Sequence, residues 1–104
     1  MHRMKTPPKN RFGRALRTAR AARKISQEGF GEVSGRTYIS QLERGERQAT
    51  LTKIDGLATV LALHPGALVL LSYLPERPAL DTLDRLLAQI RRDVQQVLAP
   101  TLES

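Results

Sequence analysis

Apolar side chains recur at three- and four-residue spacing along most of the chain, which is the pattern of helices that bury one face. Phe12, Ala15, Leu16, Ala19 and Ala22 make the first stripe and predict a helix over 10–23, with arginines on its other faces. Ser26 can cap a second, short helix over SQEGFGEV, where Gln27 and Glu28 fill the first turn. Gly29 and Gly31 weaken it by about 1 kcal/mol each relative to alanine. A closely crossing helix would give Gly31 its reason. Ser34-Gly35 breaks the pattern. Arg36 to Arg44 then forms a third helix with Ile39 and Leu42 turned inward, Ser34 available as its cap and Gly45 as its stop. Thr50 caps a fourth, whose apolar face is Leu51, Ile54, Leu57, Ala58 and Leu61. His64-Pro65 opens a fifth, because proline is tolerated at the first helical position. Ala67, Leu68, Leu71 and Leu74 are its candidates for burial.

After the punctuation PERP, a last helix spans 79–98. Leu80, Leu83, Leu87, Ile90, Val94 and Val97 alternate at three and four, a heptad seam through nearly three repeats. Such a seam zips to a second copy or packs on its own body. Both are expected, and these six residues are assigned to dimerisation. The pattern as a whole is all-α. It divides into an arm over 1–9 that carries Pro7 and Pro8, a helical domain over 10–74, and a C-terminal helix with a short tail over 75–104.

A length of 104 residues fits one domain with an appended element, and 40% apolar residues suffice for one small core. There is no cysteine, hence no disulfide framework and no thiolate metal site. His2 and His64 are far apart, so neither a metal nor another cofactor is expected. No paired carboxylates, nucleophile with a base, or phosphate-binding loop points to an enzyme. The N-terminal MHRMKTPPKNRF lacks the apolar run of a secretory signal. The longest apolar run, Ala67 to Leu71, is far short of the ~20 residues that span a bilayer. The expectation is a cytoplasmic protein with no membrane partner.

Charge narrows the partner. The net charge is +7, but residues 1–25 hold nine Lys or Arg and no acid, whereas the rest holds eight basic and ten acidic residues. The first quarter is therefore +9 and the remainder −2. A one-sided basic block favours polyanions. Nucleic acid comes before an anionic membrane, since Phe12 and Leu16 are the only large apolar residues between Lys5 and Lys24. Two short helices joined by a tight turn within a five-helix core read as a helix-turn-helix, whose second helix enters the DNA major groove. With Ile39 and Leu42 inward, Arg36, Thr37, Ser40 and Gln41 face out. Arginine can fork onto guanine, glutamine can pair with adenine, and threonine can meet a thymine methyl. Tyr38 has two readings: its hydroxyl reaches a phosphate or base, or its ring packs on the second helix. Arg11, Arg14 and Arg17 are candidates for phosphate contacts, and the basic arm for a minor groove.

The segment from Phe12 to Leu71, through LRTARAARKISQ, ISQLERGER and TLTKIDGLATVLALHP, resembles the lambda-repressor and Cro family of xenobiotic-response-element regulators. RTYIS is similar to the restriction-modification controller proteins within it. The resemblance implies a five-helix lambda-repressor-like DNA-binding domain. Its function would be sequence-specific regulation of transcription, as repressor or autoregulator, by a homodimer on an inverted repeat of double-stranded DNA. It implies that Ser26 caps the second helix and that Gln27 contacts the DNA backbone. It further implies that Arg20 and Glu43 form a buried ion pair, that Arg36, Thr37 and Gln41 read bases with Ser40 nearby, and that Arg44, Arg47 and Gln48 meet phosphate. One departure stands out. The family usually has two more residues between the glycine of the turn and the recognition helix, whereas Arg36 follows Gly35 at once. The turn is then tighter, or the second helix ends early. Two rival readings remain. An antitoxin would use the same domain and bind a toxin through its C-terminal helix. A protein–protein adaptor would not read DNA, and its third helix should be less basic and more apolar than RTYISQ.

Overall fold

The computed structural model describes residues 11–31 and 33–102. Among these there are five α-helices, one 3-10 turn and no strand. The helices are α1 (Phe12–Arg23), α2 (Arg36–Glu43), α3 (Leu51–Leu61), α4 (Pro65–Ser72) and α5 (Leu80–Leu102), with the 3-10 turn at Gln27–Phe30 between α1 and α2. The fold is all-α with a C-terminal helix, as the periodicity requires. The basic arm over 1–9 lies outside the described residues. The chain falls into two compact units, one through Tyr73 and one from Leu74.

The first unit is organised around Phe12, Leu16 and Ala19 of α1, Phe30 of the 3-10 turn, Ile39 and Leu42 of α2, Ile54, Leu57, Ala58 and Leu61 of α3, and Leu68 of α4. The helical stripes therefore converge on one core. Ala67 and Leu71 of α4 are only half-buried, and two further expected members are exposed. Ala22, in the last turn of α1, is exposed, and Leu51, the first residue of α3, is 77% exposed. Each lies at a helix end, where the stripe runs off the core. Lys24 takes a left-handed conformation, φ 59°, and closes α1 with Lys24 N–H donating to the Ala21 carbonyl and Ile25 N–H to that of Arg20. Arg23 is tied to the C-terminal end of α3, where its Nε donates to the Leu61 carbonyl at 2.8 Å.

The second predicted helix is only the 3-10 turn. Ser26 precedes it but makes no side-chain cap; its carbonyl accepts from Gly29 N–H at 2.9 Å, the i to i+3 bond of a 3-10 turn. Gly31 is not a close crossing. A Cβ there would meet nothing within 4 Å, and its φ of +52° is what calls for glycine. The close crossing is at Gly13 in α1, where a Cβ would lie 2.4 Å from the Leu42 carbonyl oxygen and 2.7 Å from that of Glu43. Nor does Ser34 cap α2. Gly35 holds the cap position without a side-chain bond, and Ser34 is buried with no protein partner for its hydroxyl. The other boundaries follow the local chemistry. Gly45, at φ +76°, ends α2 with its N–H on the Leu42 carbonyl, and Thr50 Oγ1 accepts from Lys53 N–H at 3.1 Å. His64 caps α4, where its Nδ1 accepts from Gly66 N–H at 2.8 Å ahead of Pro65.

In the second unit α5 extends four residues beyond the predicted 98 and continues through Pro100. Arg85 and Asp81 pair at 2.7 Å, and Gln89 bridges Asp93 and Arg92. Among the described residues no single helix is long and apolar enough to cross a membrane.

Candidate nucleic-acid interface

Helix α2 has eight residues, too few to be stable alone, so its orientation depends on what holds it. Ile39 and Leu42 are fully buried and anchor its inner face. Next to them Glu43 turns a carboxylate inward, with 2% of its side chain exposed. Arg20 of α1 meets that carboxylate as a fork, Nε to Oε2 at 2.7 Å and Nη2 to Oε1 at 3.0 Å. Gln27 Nε2 donates to Oε1 at 3.1 Å, and Arg17 Nε lies 3.7 Å from it. One carboxylate thus joins α1, the 3-10 turn and α2. Burial pushes the Glu43 carboxyl up, but hydrogen bonds from Arg20 and Gln27 and the charges of Arg20 and Arg17 outweigh it and hold the group below its ordinary value. The hydrogen bond to Glu43 raises Arg20 in turn. Arg20 Nη1 also donates to the Ile25 carbonyl, which fixes the guanidinium from a third side.

With its inner face so held, α2 presents its outer one. Arg36 and Thr37 are exposed in the first turn, and Ser40 and Gln41 are half-buried one turn later. Arg36 lines an open hollow with Arg20, Ser26, Gln27 and Glu28. A second hollow gathers Arg11 and Arg14 from the start of α1 with Arg44, Arg47 and Gln48 after α2. Candidate residues far apart in sequence are thereby grouped at both ends of the outward face. Arg17 remains 60% exposed beside Glu43.

Two side chains, Lys53 and Arg44, are placed in ways the sequence did not indicate, and a third, Tyr38, follows its ring-packing reading. The Tyr38 ring packs against the core and lies between two cations, 5.8 Å from Arg47 and 5.2 Å from Lys53. Lys53 also donates to the Val33 carbonyl at 2.8 Å, which pins the loop before α2 to α3. Arg44 is engaged before any ligand arrives: it forks onto Glu46 at 2.8 and 3.0 Å and donates to the Ser40 hydroxyl. The hydrogen bond between them raises Arg44 and lowers Glu46. An acid two residues after an arginine is a local signal that could have been read. Lys53 and Arg23 bond to backbone carbonyls and leave no such signal.

On α5, Leu80, Leu87, Ile90, Val94 and Val97 are exposed and Leu83 is half-buried. Among the described residues no His, Cys, Asp or Glu group could hold a metal ion.

Comparison with known proteins agrees with this arrangement. The helix-turn-helix family model matches residues 16–68. Among solved structures, the restriction-modification controller protein C.AhdI from Aeromonas hydrophila is similar, with 38% identity and a TM-score of 0.53 over 56% of this chain and 91% of that one. No curated protein matches.

Proposed function

The chain belongs to the helix-turn-helix family of DNA-binding transcription regulators, and we propose that it acts as a homodimeric repressor or autoregulator on an inverted-repeat operator. Helix α2 enters the major groove. Arg36, Thr37 and Gln41 read base edges, with Ser40 and Tyr38 supporting them, and sequence preference comes from this face. Affinity comes mainly from phosphate neutralisation by Arg11, Arg14, Arg17, Arg44 and Arg47, with Ser26, Gln27 and Gln48 as neutral donors. The two copies are joined through α5 and set their reading helices about one DNA turn apart, ~34 Å.

The observation that carries this reading is the division of α2 into two faces. Ile39, Leu42 and the clamped Glu43 are buried, whereas Arg36 and Thr37 are exposed, with Arg36 lining one of the two arginine-lined hollows. A protein-binding adaptor would be expected to offer an apolar face here. The test is selection of bound duplexes from a random pool by the full chain. The expected result is an inverted repeat whose half-site centres lie about 10 base pairs apart or a multiple of that. Absence of enrichment in dilute salt would overturn DNA reading, and an asymmetric single site would overturn the two-fold dimer.

A further inference from the structure

Heptad register on α5 puts Leu80, Leu87 and Val94 at a and Leu83, Ile90 and Val97 at d. Asp84 and Arg91, of opposite sign, both fall at e on the same flank of that seam. Other charges of the helix are engaged internally: Asp81 with Arg85, Asp93 with Gln89, and Arg92 with Gln89. Among the described residues Asp84 and Arg91 have neither an ion pair nor a side-chain hydrogen bond. The charged pair at e is thus left unmatched, whereas Asp93, at g on the other flank, is engaged by Gln89.

We infer that α5 packs against α5 of a second copy in antiparallel orientation, in one register, with Asp84 of each copy against Arg91 of the other. The inference rests on the homodimer proposed above and specifies how it is built. In an antiparallel pair, a positions face d positions and e faces e. The register centred between Leu87 and Ile90 stacks Leu80 on Val97, Leu83 on Val94 and Leu87 on Ile90, each twice by symmetry, so all six seam residues find apolar partners. The same register sets Asp84 against Arg91 on both sides of the two-fold. A slip of one heptad one way opposes Asp84 to Asp84 and leaves Val94 and Val97 unpaired. A slip the other way opposes Arg91 to Arg91 and brings Thr101 into the seam in place of Leu80. Maximal apolar overlap and charge complementarity therefore select the same alignment. Parallel pairing in register also stacks all six seam residues, but it lacks the charge match. Its flanking pairs would include Leu86 with Arg91 and Asp93 with Leu98, neither of opposite charge. Exposed charges add little affinity but discriminate well between registers.

The absence of cysteine makes the test direct. Full-length Leu80→Cys and Val97→Cys chains of distinguishable mass are mixed and oxidised. The expected product is the mixed disulfide, favoured by about tenfold or more over either homodisulfide. In parallel, Asp84→Arg and Arg91→Asp should each weaken the dimer about tenfold in sedimentation, and the double exchange should restore it. Predominant 80–80 and 97–97 disulfides would overturn the antiparallel arrangement and leave the homodimer standing. A dimer that cross-links in neither way would place its interface outside α5 and overturn the inference. Failure of the double exchange to restore association would overturn the charge match. A chain that sediments as a monomer at every concentration would overturn the homodimer itself.

Discussion

At the scale of single residues, Glu43 decides the geometry of the reading helix. Its carboxylate is shared by Arg20, Gln27 and Arg17, and it is almost wholly out of water. A carboxyl held below its ordinary value stabilises the folded state above its unfolded value, near 4.3. That stability is lost as pH falls through the lower, folded value. Glu43→Gln should therefore be less stable than the parent at neutral pH, and urea titrations should show the gap closing in acid. A gap that persists undiminished at the lowest pH would mean that Glu43 acts by shape alone. Glu43→Ala should cost about 3 kcal/mol, the lower end for a broken buried pair, because Arg20 keeps a fifth of its side chain in water. Gly13 carries the opposite lesson. Alanine in a helix interior ordinarily adds about 1 kcal/mol relative to glycine. Here its methyl would enter the Leu42 carbonyl oxygen, which is backbone and cannot swing aside, so Gly13→Ala should instead lose about 1–3 kcal/mol in denaturant unfolding. On the DNA side, Arg36→Ala should relax base preference and cost about 1–3 kcal/mol at the selected operator. Equal loss on unrelated duplexes would assign Arg36 to phosphate. Of these residues, the outward exposure of Arg36 was legible from its helix position, and Glu43 from the family resemblance. Gly13 was not legible. Its neighbour is a backbone oxygen some thirty residues away, and every residue carries one.

At the scale of elements, periodicity located all five α-helices: four bury a stripe of side chains in one core, and α5 carries a seam that is largely exposed. It failed at SQEGFGEV for a physical reason. A serine, an acid and one buried aromatic suit a 3-10 turn as well as an α-helix, and the i to i+3 bonds at Gly29 and Gly31 separate the two. The short connection to α2 is accommodated there. The turn stops at Phe30, and Gly31 at positive φ redirects the chain, so Arg36 can begin α2 directly after Gly35. The C-terminal end of α2 makes a prediction of its own. Arg44 is held by Glu46 and by Ser40, so in the proposed complex DNA would compete with an internal carboxylate for the guanidinium. Glu46→Gln removes that competitor together with one negative charge at the phosphate-facing surface. Binding to all duplexes should tighten alike, and the salt dependence should steepen by about one unit of slope. Unchanged affinity would remove Arg44 from the phosphate contacts.

At the scale of the whole molecule, two features visible in sequence answer different demands. Nine basic residues in the first quarter would bring the chain to a polyanion without telling one sequence from another. In the proposed dimer the seam of α5 would supply the second copy, and with it the two-fold that would let one short helix specify a full operator. The demands are separable by Ile90→Asp, which puts a charge at an exposed seam position and leaves the core of the first unit untouched. The variant should sediment as a monomer with an unchanged unfolding transition for the first unit. On a single half-site its affinity should match that of the parent. On the full operator it should lose the gain that comes from joining two sites, on the order of a hundredfold or more. A monomer also neutralises about half as many phosphates, so the slope of log affinity against log salt should fall to about half the parental value. A variant that remains monomeric yet binds the full operator with the parental affinity and slope would show that the DNA, rather than α5, brings the two copies together.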